Sequence, residues 1–346
     1  MAEPLVTVVV PVYNGAAYLR ECLDSVLAQT YREWHMVVVN NSSTDESGTI
    51  AAEYARRDPR VTVHTTERLL PIIENHNRAM SFLDAQAKYC KPLMADDWLM
   101  PQCLSDMVAL AERNPTVGQV GAYAFDGRNV MWSGPPYPAE CISGHEVCRA
   151  DLLGGPYWLG SPSTSLIRAD LVRKRAKFYN ESNLNADLEA SYEVLAESNF
   201  GFVHQVLAYN RVHEASMTSA LRAFDGFTLG TLQAFKRCGQ AHLSESEFTA
   251  RLELMLYSHY RVLAKNVLRL RERTFWEQQR KRLEDIGEPL NKRRLARAVA
   301  GEVWRRMGRP FPALDSAVRW WSVAAKRAME KRRAAERSKP PHQTAR

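Results

Sequence analysis

The chain has 346 residues, of which 45% are hydrophobic and 25% are charged, and its formal net charge is +7. This length and composition suffice for one large α/β domain with a smaller appendage, and they exclude a chain that is disordered throughout. The N-terminal apolar runs are much shorter than the ~20 residues of a membrane-spanning helix, and no basic signal-peptide region precedes them. We therefore expect a cytoplasmic protein, in which the six cysteines, having no C-x-x-C spacing, are reduced thiols.

The first hundred residues alternate between short β-branched runs and helical patterns, which is typical of βαβ units around a mostly parallel sheet. Strands are predicted at residues 6–10, 35–39, 61–64, 89–94 and 117–125. Helices are predicted at residues 19–27, 43–57, 73–83 and 101–113. Ser43 with Glu46 three residues later predicts a capping box at the start of the second helix. Pro92 argues against full pairing of the fourth strand.

The pattern changes in the second half of the chain. Residues 187–196 predict a helix, and residues 200–203 and 207–212 predict two strands. From about residue 223 the pattern is helical and rich in Arg, and no further strand is predicted. We therefore expect an α/β domain at residues 1–219, a basic helical extension at residues 220–338 and a disordered tail at residues 339–346.

Polar residues gather where the predicted strands end, which is where α/β sheets bind their ligands. Residues 11–15 (Pro-Val-Tyr-Asn-Gly) follow the first strand, residues 40–45 (Asn-Asn-Ser-Ser-Thr-Asp) the second, and residues 95–97 (Ala-Asp-Asp) a later one. The chain contains neither the glycine-rich dinucleotide motif nor the P-loop motif. A dinucleotide dehydrogenase and a P-loop enzyme are therefore disfavoured.

These segments, in this order, resemble those of the family 2 glycosyltransferases, which have the GT-A fold. The resemblance covers roughly residues 5–218 and includes residues 24–31, 98–101 and 211–216 (Arg-Val-His-Glu-Ala-Ser). It implies a GT-A, Rossmann-like sheet with helices on both faces, with residues 1–219 as the catalytic domain. It also implies an inverting enzyme that moves a sugar from a nucleotide diphosphate to a hydroxyl of a glycan or lipid-linked acceptor, in the synthesis of a cell-surface polysaccharide or lipopolysaccharide.

The resemblance assigns the first two loops to the base and ribose of the donor. The donor-binding residues expected there are Pro11, Tyr13, Asn14, Asn40 and Ser42. Asp96 and Asp97 would support a divalent cation on the diphosphate, with Asp96 also in contact with the donor. Hard oxygen ligands suit Mg²⁺ or Mn²⁺, and such a cation stabilises the charge that develops on a diphosphate leaving group.

Later segments complete the site that the resemblance implies. Asn77 and Arg78 match a stretch near the diphosphate, where Arg78 could pair with phosphate; an exposed helix start is the alternative. Arg211 and His213 match a segment that closes over the diphosphate, with His213 as a metal or diphosphate ligand or as a structural histidine. Asp187 matches the general base, and its alternative role is helix N-capping.

Three positions depart from the family pattern, because Asn40, Met94 and Ala186 stand where an acidic residue is usual. A catalytically silent subunit that binds a nucleotide sugar is therefore a second hypothesis. The Asn40 amide can still hydrogen-bond to a uracil or thymine edge, so a UDP or dTDP donor is favoured. Trp158 and Ser161 are candidates for the acceptor groove, although a structural role for Trp158 is an equal alternative.

The positive charge is concentrated at the C-terminal end, where residues 269–346 carry 22 Lys+Arg against 9 Asp+Glu. A basic amphipathic helix with Trp is typical of a membrane-surface element, which would place the protein peripherally on the inner face of the cell membrane. A solvated helical appendage that packs on the catalytic domain is the alternative. A third hypothesis, a membrane or nucleic-acid adaptor, rests on charge alone, and we expect no nucleic-acid partner because no recognised motif is present.

Overall fold

The computed structural model describes residues 3–183, 185–213, 226–269 and 271–306. The predicted domain boundary near residue 219 and the predicted tail at residues 339–346 lie outside these ranges, as do the last three residues of the segment 211–216. No helix within the described ranges is long and apolar enough to cross a membrane.

One sheet of ten strands forms the centre of the described part. The strands are β1 (Val6–Val12), β2 (Trp34–Asn40), β3 (Val61–Thr65), β4 (Tyr89–Pro92), β5 (Trp98–Leu99), β6 (Val117–Phe125), β7 (Val130–Met131), β8 (Cys141–Ile142), β9 (Leu166–Arg168) and β10 (Asn199–Tyr209). Their order is β3-β2-β1-β4-β9-β6-β10-β5, with β7 beside β6 and β8 beside β10. The first four strands in this order are parallel, but β9 is antiparallel to both β4 and β6. The sheet is therefore mixed: its N-terminal half is parallel as predicted, and β10 is parallel to β6 as well.

Helices cover both faces of this sheet, as predicted. They are α1 (Ala16–Leu27), α2 (Ser47–Arg57), α3 (Ile72–Met80), α4 (Cys103–Arg113), α5 (Gly144–Leu152), α6 (Ala169–Arg173), α7 (Ala186–Leu195), α8 (Gly226–Cys238), α9 (Glu245–Leu268), α10 (Arg273–Asp285) and α11 (Lys292–Arg306). Successive side chains of a strand point to opposite faces. Val8 and Val10 of β1 accordingly pack with α1, α2 and α4, whereas Val9 packs with α3, α6 and α7.

The C-terminal helices pack on the rest of the protein through apolar side chains. Phe235 of α8 joins a buried cluster with Tyr192 of α7 and Phe202 of β10. Leu263 of α9 belongs to a second cluster, which also includes Leu283 of α10. The described part of the basic extension therefore has an apolar packing surface of its own.

Two local predictions were wrong. Helix α2 begins at Ser47, with Glu46 at the N-cap position and no side-chain cap, because Ser43 bonds instead to the loop after β1. The segments 200–203 and 207–212 do not form separate strands. Residues 199–209 form the single strand β10, whose register against β6 shifts near Val203 and Val206. An irregularity of this kind breaks the alternating pattern without ending the strand.

Candidate functional site

The loops after β1 and β2 are joined by hydrogen bonds at the carboxyl edge of the sheet. The Asn14 N–H donates to Ser43 Oγ at 3.0 Å, and the Thr44 N–H donates to Asn14 Oδ1 at 2.8 Å. The Ala16 N–H donates to Asp45 Oδ2 at 3.0 Å. Asn14 itself has a φ of 48°, a conformation that Asn adopts more readily than most residues. The two predicted donor loops therefore form one cross-linked surface.

The individual loop residues differ in what they offer to a ligand. Pro11 is buried within β1, and the buried Asn40 accepts the Ser43 N–H on its Oδ1 at 3.2 Å. Ser42 donates from its hydroxyl to the Thr66 carbonyl at 2.6 Å. Tyr13, in contrast, is 48% exposed. Most of the predicted donor residues thus shape the loops, and Tyr13 presents the free aromatic surface.

The turn with Asp96 and Asp97 lies against the first loop. A Cβ added at Gly15 would be 3.7 Å from Ala95 Cβ and 2.9 Å from a methyl group of Val12. The tight contact is the one with Val12, which favours glycine at residue 15, whereas the distance to Ala95 is an ordinary van der Waals contact. The structure places the predicted donor loops and the predicted acidic turn side by side, as sheet topology requires of loops at one edge.

Asp97 is buried, and protein groups donate to both of its carboxylate oxygens. Ser163 Oγ and Asn210 Nδ2 donate to Oδ2 at 2.5 and 2.6 Å, and the Arg211 N–H donates to Oδ1 at 2.9 Å. Burial and the nearby charge of Asp96 raise the pKa of Asp97 to about 7. These contacts are those of a structural carboxylate, and the role of Asp97 as a metal ligand stays a prediction.

Asp96 has an accessible carboxylate and lies beside two other predicted residues. Its Oδ2 is 3.0 Å from Nε2 of His213, and the Asp96 side chain is 31% exposed. Arg211 donates from Nε to the Asp96 carbonyl at 3.0 Å and pairs through Nη2 with Glu21 at 2.6 Å. Its guanidinium lies 4.5 Å above the ring of Tyr18. The structure therefore brings Asp96 together with Arg211 and His213, which lie more than a hundred residues further along the chain.

Asp96 and His213 could supply two of the ligands of a divalent cation, but not a complete set. Within the described residues, no group of three or more His, Cys, Asp or Glu side chains could hold a metal ion. Neighbouring ligands of an octahedral ion at about 2.1 Å lie about 3.0 Å apart, which is the spacing of Asp96 Oδ2 and His213 Nε2. Phosphate oxygens and water would have to supply the remaining ligands, which is how Mg²⁺ is usually bound beside nucleotides.

Asp187 lies in a separate cleft, in the first turn of α7. The cleft is narrow, with a cavity volume of about 10 Å³, and is also lined by Tyr157, Ser161, Ser165 and Tyr179. Burial raises the pKa of the Asp187 carboxyl above its usual range. The alternative prediction, that Asp187 caps the helix, is wrong, because Asn185 occupies the N-cap position.

Glu189, two residues further along α7, faces another environment. It is 1% exposed, and its oxygens accept hydrogen bonds from Asn180 Nδ2 at 2.9 Å and Asn183 Nδ2 at 2.8 Å. Arg237 Nε of α8 lies 2.9 Å from the same carboxylate. Glu189 therefore holds α7 to the preceding segment and to α8.

Asn210, which the sequence analysis did not identify, connects the Asp187 cleft to the acidic turn. Its Oδ1 accepts the hydroxyl of Ser161 at 3.1 Å, while its Nδ2 donates to Asp97. Ser163 forms a parallel link, because its hydroxyl accepts the Met94 N–H at 3.1 Å and donates to Asp97. Since Asn and Ser are common in loops, no sequence pattern marked these two residues.

Two basic residues beneath the acidic turn, the buried Lys91 and the half-buried His76, were also missed. Lys91 is fully buried, and its Nζ donates to the carbonyls of Ser163 and Ser165. Burial lowers the pKa of His76 to about 4, although the charge of Asp96 opposes this shift. A lysine inside a predicted buried strand was the one available signal, since buried lysines are rare unless paired.

Asn77, Arg78 and Trp158 make structural contacts. Asn77 donates from Nδ2 to the Tyr179 carbonyl and accepts the Tyr179 N–H on Oδ1, both at 2.8 Å. The guanidinium of Arg78 lies 4.5 Å over the ring of Phe82. Trp158 is partly buried against the cluster that contains Phe235. Asn77 therefore fixes one wall of the Asp187 cleft, because Tyr179 lines it.

Comparison with known proteins finds matches among glycosyltransferases. The family model described as "Glycosyl transferase family 2" matches residues 7–174. An uncharacterized glycosyltransferase of Rickettsia prowazekii is 26% identical over 226 residues, which cover 63% of this chain and 67% of the relative. The glycosyltransferase GlyA of Streptococcus pneumoniae is 36% identical over 105 residues, which cover 29% of this chain and 14% of that protein.

Two solved structures share the GT-A fold with this chain. TarS of S. aureus, residues 1–349 in complex with UDP-GlcNAc, superposes with a TM-score of 0.61 at 17% identity and covers 84% of this chain and 82% of its own. The mannosyltransferase PcManGT of Pyrobaculum calidifontis, in complex with GDP-Man and Mn²⁺, has a TM-score of 0.58 at 17% identity and covers 94% and 81%. At these identities the likeness concerns the fold.

Proposed function

Because this chain is a glycosyltransferase that belongs to family 2, we propose that it moves a sugar, with inversion, from a nucleotide-diphosphate donor to a hydroxyl of a glycan or lipid-linked acceptor. The observation that carries this proposal is the pair of Asp96 and His213, 3.0 Å apart beside the donor loops. Asn210 joins this pair, through Asp97 and Ser161, to the cleft that contains Asp187. Hydrogen bonds thus connect Asp96 and His213, where we place the diphosphate, to the cleft of Asp187, where we place the proton acceptor.

The diphosphate would lie against Asp96, Arg211 and His213. In this proposal Asp96 and His213 hold Mg²⁺ or Mn²⁺, and Asp97 positions Arg211 through its backbone N–H. The cation, when bound, supplies Lewis-acid stabilisation of the leaving diphosphate. Arg211 is paired with Glu21, whose side chain is 61% exposed. Phosphate would replace that carboxylate as the partner of the guanidinium, since Arg binds phosphate in a bidentate manner.

Asp187 would accept the proton of the acceptor hydroxyl. Direct displacement requires the hydroxyl to attack the anomeric carbon on the face opposite the diphosphate, and a carboxylate within hydrogen-bond reach makes the oxygen more nucleophilic. A raised carboxyl pKa suits this role, because a general base works best when its pKa approaches the operating pH. The burial of Asp187 provides that shift.

The nucleotide would bind across the two joined loops. We assign the base to the exposed ring of Tyr13, with Asn14, Asn40 and Ser42 shaping the pocket beside it. UDP or dTDP remains the favoured nucleotide. TarS binds UDP and UDP-GlcNAc and PcManGT binds GDP-Man with Mn²⁺, which supports a nucleotide-sugar donor and a divalent cation without choosing the base.

Calorimetry on the full chain tests the metal part of the proposal. UDP should bind in Mn²⁺ and lose at least tenfold in affinity in EDTA, because the diphosphate would otherwise face Asp96 as a like charge. Asp96→Asn should also bind UDP more weakly in Mn²⁺, because it removes an anionic ligand of the cation, whereas Asp285→Asn, on the exposed end of α10, should bind as the wild type does. Equal affinity with and without EDTA would remove the metal from the mechanism. Release of UDP from UDP-sugars would exclude the silent-subunit hypothesis.

We also propose that residues 1–219 form the catalytic unit and that the basic extension, residues 220–338, brings it to the cytoplasmic face of the membrane for cell-surface polysaccharide synthesis. The described helices α10 and α11 carry exposed Lys and Arg side chains, among them Lys281, Lys292, Arg293 and Arg297. Such charges attract anionic lipid headgroups. Phe275 and Leu283 of α10 are buried and Leu295 and Ala298 of α11 are partly buried against the same cluster, so this contact would be mainly electrostatic and sensitive to salt.

A further inference from the structure

Trp132 has an unusual backbone conformation at the end of β7. Its φ is 69°, in the left-handed region that bulky residues other than glycine rarely occupy. Such residues persist only where surrounding contacts enforce the conformation, and they cluster at ligand sites. Nothing in the sequence marked Trp132, because it lies in a loop rich in Pro and Gly.

The contacts of Trp132 place its ring between the two halves of the site. The indole Nε1 donates to Asn210 Oδ1 at 3.4 Å, and Asn210 is the residue that joins Asp97 to Ser161. The Trp132 ring meets the ring of Tyr157 edge-on at a centroid distance of 5.7 Å. Tyr157 and Ser161 both line the cleft that contains Asp187.

The backbone of Gly160, beside the indole, is closely packed. Gly160 has a φ of 72°, and a Cβ there would lie 2.3 Å from Thr164 Oγ1 and 3.8 Å from Cδ1 of Trp132. The hydroxyl of Tyr157 donates to the Gly160 carbonyl at 2.9 Å. Gly160 therefore lies close to the Cδ1 edge of the indole, which keeps that part of the ring against protein. The remainder is accessible, since Trp132 is only partly buried.

We propose that Trp132 forms the acceptor subsite by packing its accessible face against a pyranose ring, one of whose hydroxyls reaches Asp187. An aromatic ring offers a large, rigid apolar surface with a polar N–H at its edge, which matches the C–H face of a sugar ring. Anchoring of the indole N–H to Asn210 fixes the orientation of that surface. The inference rests on the proposed function and makes it more specific. The acceptor is a sugar ring, rather than a lipid or protein hydroxyl.

The test combines two ligands on the full-length protein. UDP with Mg²⁺ is titrated by calorimetry, and saturation-transfer NMR is then recorded in UDP and Mg²⁺, which is diamagnetic, with the methyl α- and β-pyranosides of glucose, galactose, mannose and N-acetylglucosamine. We expect at least one pyranoside to bind the wild type. Trp132→Gly removes the ring and accepts the positive φ without strain, so it should fold, retain UDP affinity within twofold and weaken pyranoside binding by roughly tenfold or more.

Two further variants separate the contributions of the ring. Trp132→Phe keeps an aromatic face and loses the N–H, so we expect it to retain most of the pyranoside binding. Tyr257→Ala removes a 64% exposed ring on α9 and should behave as the wild type does. If Trp132→Gly binds pyranosides normally, or if the wild type binds UDP but no pyranoside, the acceptor assignment is wrong. An equal loss of UDP affinity in Trp132→Gly would assign the ring to the donor side. Absence of nucleotide binding in the wild type would instead refute the proposed function.

Discussion

The assignment of the base to Asp187 can be tested by comparing two conservative substitutions two residues apart. Asp187→Asn keeps the size of the side chain and removes the proton acceptor. We expect turnover to fall by ~10²–10⁴-fold, the usual contribution of general base catalysis. The stability of this variant should be unchanged or slightly higher, because burial already disfavours the charged form of Asp187.

Glu189→Gln should give the opposite result. The new amide has an NH₂ group in place of one carboxylate oxygen. This NH₂ group would face N–H donors whose hydrogen bonds Glu189 accepts in the wild type, among them those of Asn180 and Asn183. Leaving one or two buried donors unpaired costs ~1–3 kcal/mol each, whereas the partner Arg237 is 57% exposed and its lost ion pair contributes little. We therefore expect a destabilisation of about 2–4 kcal/mol, seen as a melting temperature several degrees lower, with turnover near normal below the transition.

The assay is release of nucleotide diphosphate from a UDP-sugar, measured together with chemical denaturation of each variant. Wild-type affinity for UDP in Asp187→Asn would show that the donor side is intact. The reasoning would be refuted by near-normal turnover in Asp187→Asn together with inactive but fully stable Glu189→Gln. That combination would move the base to Glu189.

Three further predictions concern the groups beneath the site and the extension. Lys91→Met should lower the free energy of unfolding by about 2–3 kcal/mol in chemical denaturation, because it leaves the carbonyls of Ser163 and Ser165 without a donor; an unchanged denaturation midpoint would contradict this. The pKa of His76 is about 4 in the folded protein and ~6.5 when unfolded, so His76 contributes a loss of stability as the pH drops from ~6.5 to 4, which the raised pKa of Asp97 opposes over the same interval. The loss should be smaller in His76→Gln, by chemical denaturation at several pH values. Reversing the charge of Lys292, Arg293 and Arg297 should weaken sedimentation with phosphatidylserine vesicles while UDP binding stays normal, and undiminished sedimentation would restrict these helices to packing.

Much of the fold could be predicted from local sequence patterns. Alternating apolar residues in β1, with Val8 and Val10 on one face and Val9 on the other, require helices on both faces of the sheet, because each face must be covered. Because the predicted strands of one sheet are each followed by such a loop, the sequence also predicted that Asp96 lies near the donor loops. Patterns of this kind depend on neighbours along the chain, which a single sequence displays directly.

The roles of individual side chains were decided by tertiary contacts. Asp96 and Asp97 are adjacent and chemically identical, yet Asp97 is buried under donors from Ser163, Asn210 and Arg211, whereas Asp96 remains accessible beside His213. Nothing local distinguishes the two carboxylates, because those donors come from segments at least 66 residues away.

The same reason explains why Trp132 and Asn210 were missed. Their hydrogen bond joins residues 78 positions apart and exists only after β7, β10 and the loop that carries Ser161 have been assembled. The sequence by itself determined the sheet, its helices and the edge at which ligands bind, because strand alternation and helical spacing are local. Only the tertiary structure decided that Asp96 is accessible beside His213, that Asp97 is buried and that Trp132 contacts Asn210, since burial and hydrogen-bond partners arise from long-range packing.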